Sequence, residues 1–424
     1  MPPRPIRRFA LLTALTAAAV GFVRPARAMP VPPTNAPLER LLRNTSAYVA
    51  KHPSDPQGYF TRGRLHYFAY ALRRPEIPIL RGSEEDSLPR VYDIFRAGRP
   101  SSFGEPQQKP RTMSQAEQKR HVRAAIADLT KAIALRDAQE KKDPAPPAGG
   151  QGSISAGTRG LYDLTLACVY EDGRALAGAD WQEKAIVHYR KAFERGAPED
   201  LARERQPIFG LSTLVTHEAG ASYARLVRRR GVRANEKAFL ARVDAALAKL
   251  KNLKPGPVTP IVFSLRQPTS ALADLLHAPA RPVSFDLSGS RTPQRYALWP
   301  RPETALLVWD PTQSGRVTSG RQLFGTATWW LIFSDGYRAL DALDDDRDGW
   351  LKGKELDGLA LWYDRNGSGV SETGEVVPLA RTEVAGIRTA GASVGPDGVL
   401  ASPRGLLLRD GTRLPTYDWI AAPL

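Results

Sequence analysis

From about Leu38 to Leu253 apolar residues recur at intervals of three and four with little β-branched alternation, a spacing that predicts successive amphipathic helices. Past Lys254 the texture changes. KPGPVTP sets proline and glycine breakers close together, and the segments that follow, IVFSL, PVSFDL, RYALW and ALLVWD, are short and strand-like. The expectation is an α+β multidomain chain, helical over residues 29–255 and strand-rich over residues 256–424.

Two places sharpen the helical pattern. In AIADLTKAI, Ala125, Leu129 and Ala132 set small residues around a large one, and in AIVHYRKAF, Ala185, Tyr189 and Ala192 repeat the arrangement. Upstream, Pro56, Tyr59, Gly63 and Tyr67 precede the first set, and Leu166, Ala167 and Tyr170 precede the second. Small residues let antiparallel helices approach, and the large one fills the groove between them. On these residues the half resembles a tetratricopeptide-type (TPR-like) solenoid, which implies paired antiparallel helices and a concave face for a protein or peptide partner. The repeats depart from the usual length of about 34 residues. Proline- and glycine-rich inserts near 73–115 and 141–158 interrupt them.

The strand-rich half carries the clearest chemistry. A calcium loop of EF-hand type needs side-chain oxygens at positions 1, 3 and 5, glycine at 6, a backbone carbonyl at 7 and a bidentate glutamate at 12. Residues 344–355, DDDRDGWLKGKE, supply Asp344, Asp346, Asp348, Gly349, Trp350 and Glu355, with Lys352 at position 9, where a water has to fill the ligand's place. Residues 364–375, DRNGSGVSETGE, repeat the set with Asp364, Asn366, Ser368, Gly369, Val370 and Glu375. Only Leu356 to Tyr363 lie between, so one short helix is expected to serve both loops, which leaves no calmodulin-like groove. A decayed version, DPTQSGRVTSGRQLFG, has Asp310, Thr312, Ser314 and Gly315 in place but Arg321 at position 12, with Gln322 beside it; whether 310–321 holds metal stays open.

With VSFDL and the terminal DGTRLPTYDW, these stretches resemble secreted bacterial proteins that carry EF-hand-like calcium repeats beside strand-rich segments, over roughly Val283 to Trp419. That resemblance implies Ca2+ binding and an extracytoplasmic location. At Asp286, where such proteins often continue an acidic repeat, this chain reads DLSGSR, which argues against a further site there. Asp410-Gly411 suits a tight hairpin turn.

The N-terminus agrees with export. Arg4, Arg7 and Arg8 precede the apolar run Phe9 to Val23, and Ala26-Arg27-Ala28 offers small residues for cleavage, so residues 1–28 are expected to be a signal peptide. The leader permits general secretion or twin-arginine export, and the product is expected to be periplasmic or secreted with no transmembrane segment. Removing the leader's five arginines lowers the formal charge of +16 to +11, a balance that suits an anionic surface or polymer. Nucleic acid is not expected outside the cytoplasm, and Arg225 to Arg233 lacks interleaved aromatics. The single cysteine, Cys168, excludes an internal disulfide and is expected to be a small buried hydrophobe.

No phosphate-cradling loop, dinucleotide fingerprint or nucleophile elbow is present, and His217-Glu218 is followed by Ala221 where a zinc helix needs its second histidine. The sequence therefore points away from an enzyme. It points to an exported calcium-binding protein in which Ca2+ is a structural staple and the helical half an interaction scaffold. The alternative is an extracytoplasmic enzyme on a wall polymer, with Trp299, Trp309, Trp329, Trp330 and Trp362 stacking on sugars; core packing is the preferred role for these rings.

Overall fold

In a computed structural model of the chain, the structure describes residues 34–73, 76–79, 113–142, 160–202, 212–250, 257–266, 271–289, 293–395 and 397–424. The expected leader lies outside these residues, as does most of the two expected inserts. Among the described residues the helical pattern resolves into α1 (Leu38–Lys51), α2 (Pro56–Leu72), α3 (Gln115–Lys142), α4 (Leu161–Gly173), α5 (Trp181–Ala202), α6 (Ser212–Arg230) and α7 (Lys237–Leu250). Each helix packs on the next. Asp55 caps α2 by accepting from the Gln57 N–H, with Pro56 at the first helical position, where a missing N–H costs nothing.

The small-and-large residues named above lie at the helix contacts. Ala125, Leu129, Ala132, Ala185, Tyr189 and Ala192 are fully buried. A Cβ on Gly63 would stand 2.8 Å from Leu129 Cγ, so α2 and α3 meet as closely as glycine allows. Cys168 is buried in the α4 core, within reach of the Tyr189 hydroxyl and the Glu218 carboxylate. The basic run near Arg225 is largely engaged: Arg225 pairs with Glu171, Arg228 with Asp244, and Arg230 and Arg233 with Glu183.

Two short strands flank the first helices, β1 (Thr34–Pro37) and β2 (Glu76–Ile79), which pair antiparallel. Beyond residue 256 come β3 (Ile261–Ser264), β4 (Leu276–His277), β5 (Val283–Phe285), β6 (Gln294–Tyr296), β7 (Trp299–Pro300) and β8 (Thr304–Trp309). After helix α8 (Gly336–Asp341) follow β9 (Trp350–Lys352), β10 (Leu359–Trp362), β11 (Val376–Pro378), β12 (Val384–Arg388), β13 (Ser393–Val394), β14 (Leu400–Leu408) and β15 (Arg413–Asp418). The main sheet is antiparallel, in the order β11-β10-β8-β3-β15-β14-β12-β9, with β13 on β14. The hairpin at Asp410 joins β14 to β15 as the sequence predicts, Gly411 taking φ +87° where a side chain would be strained.

Alternate residues of the central strands feed two cores, which is why IVF and ALLVW read as unbroken apolar runs. Ile261, Phe263, Ala305, Leu307, Leu359 and Leu361 join the core that also holds the helices. Val262, Leu306, Val308, Ala360 and Trp362 face a second core built on Trp299, Phe285 and Trp419. Near residue 255 the chain passes from helices to strands, and residues from both sides of that point share the first core. Trp299, Trp309, Trp329, Trp330 and Trp362 are all at most 3% exposed, so none of these rings offers a face to a sugar.

One expectation is corrected. The segment between the two acidic loops is not a shared helix: a short 3₁₀ turn (Gly353–Leu356) closes the first loop and β10 leads into the second. Pairing with both β8 and β11 fixes LALW as a strand. A short apolar run has no periodicity long enough to decide between helix and strand, and the sheet decides it here.

Candidate metal centre

Each acidic loop closes on its first aspartate. Asp344 Oδ1 accepts the Arg347 N–H at 2.7 Å and Oδ2 the Gly349 N–H at 3.0 Å, with the Thr389 hydroxyl at 3.4 Å. Asp346 and Asp348 each accept the N–H two residues on, at 3.0 and 2.8 Å. These turns gather the alternate carboxylates: one oxygen from each of buried Asp344 and exposed Asp346 and Asp348 lies within 4.8 Å of the others. Oxygens about 2.4 Å from a common calcium ion stand at most about 5 Å apart, so the spacing fits one Ca2+.

Glu355 ties the ends together. Its Oε1 accepts from Asp345 N at 2.6 Å and Asp346 N at 3.3 Å, and its Oε2 from Lys352 N at 3.0 Å. Gly349 takes φ +84°, the turn position for which the loop requires glycine. The Lys352 side chain reaches back to Asp348 Oδ2 at 2.8 Å and holds that carboxyl below the usual carboxylate range. Lys352 therefore acts as a counter-charge on the position-5 carboxylate. Trp350, at position 7, opens β9, and Leu351, at position 8, pairs with Ile387 of β12.

Residues 364–375 repeat the arrangement. Asp364 Oδ1 accepts from Ser368 N at 3.0 Å, and Oδ2 from Gly369 N at 2.8 Å and from the Trp299 indole at 2.7 Å. Asn366 Oδ1 accepts from Ser368 N at 3.0 Å, and the Ser368 hydroxyl donates to Val370 O at 3.3 Å. Glu375 accepts from Arg365 N at 2.8 Å and from Glu372 N at 3.0 Å, as Glu355 does in the first loop. The ten residues expected as ligands from the sequence thus lie on two closed loops. The tandem loops do not pair with each other at position 8: Ser371 instead exchanges hydrogen bonds with Val317, position 8 of the decayed loop.

Electrostatics single out the first residue of each loop. Burial pushes the Asp344 carboxyl above the usual range despite the Gly349 and Arg347 N–H groups, and does the same to Asp364 despite Gly369 and Trp299. Both are at most 2% exposed. A buried carboxylate short of positive charge is the group a bound cation relieves.

The decayed loop has the same frame and a different closure. Asp310 accepts from Ser314 N, the Ser314 hydroxyl and Gly315 N, each at 2.9 Å. Arg321 turns away to bond Gly289 O at 2.7 Å and to cover the Trp330 ring. Gln322 takes the place of the closing glutamate: its Oε1 accepts from Thr318 N at 2.8 Å, the position-9 N–H, and its Nε2 donates to Arg316 O at 2.9 Å. That carbonyl is position 7, a ligand in a filled loop. An amide N–H stands where a cation would need an acceptor.

Sequence reasoning missed Trp299 in β7 and Thr389 just past β12, which brace the two first aspartates and carry no local motif. Among the described residues no helix is long and apolar enough to cross a membrane. Among curated proteins and among solved structures, none matches the chain. The family model described as the SPM domain matches residues 274–402, a stretch that takes in both acidic loops and the decayed one.

Proposed function

We propose that this is an exported calcium-binding protein in which Ca2+ staples the sheet-bearing half and the TPR-like helical half recruits a protein or peptide partner. Asp344, Asp346, Asp348, the Trp350 carbonyl and Glu355 form one site; Asp364, Asn366, Ser368, the Val370 carbonyl and Glu375 form the other. The observation that carries this reading is the convergence of three carboxylate oxygens within 4.8 Å on a loop already closed by a glutamate at the required position. The second loop runs from β10 into β11, and the first follows α8 and contributes β9 to the main sheet, which suits a constant staple better than a switch. Modules outside the cytoplasm bind calcium with dissociation constants of about 10⁻⁴ to 10⁻³ M. At calcium ten times that constant, each filled site adds roughly 1.4 kcal/mol of stability.

The test is a calorimetric calcium titration of the mature chain with parallel melting curves in calcium and in chelator. Two binding events and a raised melting temperature are expected. No heat and identical melting curves would remove the reading.

A further inference from the structure

We infer that the first loop is wired to helix α1, so that metal binding at 344–355 and docking of α1 onto the sheet-bearing half strengthen each other through Asp345 and Arg347. The inference rests on the calcium reading of that loop and adds a regulatory role to it.

Positions 2 and 4 of such a loop have no ligand duty. In the first loop they are Asp345 and Arg347, and both reach α1. Asp345 Oδ1 accepts from Asn44 Nδ2 at 2.7 Å, Arg40 Nε at 2.9 Å and Arg43 Nη2 at 3.0 Å. Arg347, only 6% exposed at its side chain, donates to the Asn44 carbonyl and, at 2.8 Å, to the carbonyl and carboxylate of Asp341. Lys51 closes the contact by donating to Arg347 O at 3.3 Å.

The second loop shows that the chain need not build position 4 this way. Its position 4 is Gly367 at φ +65°; the first loop's is Arg347 at φ +63°. The backbone shape is the same, and glycine adopts it freely where a side chain is strained. Gln313, position 4 of the decayed loop, takes φ +49°, so the left-handed shape belongs to the loop frame, and in the first loop it carries the residue that grips α1. Arg365, at position 2 of the second loop, donates to Gly374 O within its own loop.

The grip and the ligands share peptide units. The Asp345 N–H donates to Glu355 Oε1, and the Arg347 N–H donates to Asp344 Oδ1. Moving either clamp residue therefore moves the first or the last ligand. A small cleft lined by Tyr48, Gly58, Phe333, Arg338 and Arg347 lies at the seam beside the clamp. Linkage makes the effect reciprocal, since whatever factor the docked helix adds to calcium affinity, calcium adds to docking.

The experiment isolates the first loop with Glu375→Gln in the full chain and measures calcium affinity with and without the pair Arg40→Gln and Asn44→Ala. Charge alone and coupling predict opposite signs. Removing Arg40 takes a cation from an acidic loop, so a pure charge effect tightens calcium binding; coupling weakens it, by about five- to tenfold at the low end of allosteric linkage. An affinity unchanged or tightened overturns the inference and leaves the calcium reading standing. Absence of calcium heat in both Glu375→Gln and Glu355→Gln proteins overturns the two together. Should the double variant fold poorly, Arg347→Gly, which relieves the left-handed strain, serves instead with hydrogen exchange as the readout. Calcium is expected to protect the α1 amides in the parent and not in Arg347→Gly; equal protection with calcium and chelator in the parent overturns the inference.

Discussion

Glu355→Gln separates what the closing glutamate does for the chain from what it does for the metal. Its two oxygens take three backbone N–H groups, from Asp345 at 2.6 Å, Asp346 at 3.3 Å and Lys352 at 3.0 Å. Glutamine keeps one oxygen and turns an amide NH2 toward a donor on the other side. At least one bond to a charged acceptor is lost at a residue only 8% exposed. Such bonds contribute about 1.5–3 kcal/mol, so the calcium-free variant is expected to lose about 2 kcal/mol. With calcium at ten times its dissociation constant the parent gains roughly 1.4 kcal/mol at this loop, and the variant forgoes it. The stability gap should therefore widen from about 2 to about 3.4 kcal/mol between chelator and calcium. Urea unfolding of both proteins in the two buffers measures it. A gap of the same size in both would mean that Glu355 is structural and holds no metal.

Three further outcomes follow from the same geometry. Because Gln322 Nε2 occupies the position-7 carbonyl of the decayed loop, Asp310→Asn should leave the calcium stoichiometry of two unaltered while lowering stability by about 1–3 kcal/mol, read by calorimetry and urea unfolding. Trp299→Phe removes the indole bond to Asp364 in a fully buried site, so it should weaken calcium at the second loop and leave the first loop's affinity intact, which titrations in the Glu355→Gln and Glu375→Gln backgrounds resolve. Burial raises Asp344 and Asp364 above their unfolded values, so without metal their contribution is present at low pH and lost as pH rises through the raised values. Calcium favours the ionised forms and reverses that slope: the calcium-induced rise in melting temperature should be larger near about pH 7 than near about pH 5, measured by thermal scans.

The closed turns of the loops were legible because their pattern is local: oxygen-bearing side chains at alternate positions, a glycine and a distant glutamate fall within twelve residues, and the backbone turns that gather them depend on little else. The helix contacts were legible for a similar reason, since Gly63 and Leu129 declare a close approach by size alone. What could not be read was set by partners far along the chain. LALW became β10 because β8 and β11 flank it, and nothing within the segment announces that. Trp299 braces Asp364 across 65 residues, and Asn44 meets Asp345 across 301. The amide closure of the decayed loop was half visible: Arg321 at position 12 signalled the missing ligand, while the turn that brings Gln322 onto Thr318 N and Arg316 O appears only in the fold.

The most direct measurement is a crystal structure of the mature chain grown with millimolar calcium. The expected result is one ion in each acidic loop, held by Asp344, Asp346, Asp348, the Trp350 carbonyl and Glu355 in the first and by Asp364, Asn366, Ser368, the Val370 carbonyl and Glu375 in the second, with none at Asp310. Loops that keep their closed shape around water alone would contradict the account.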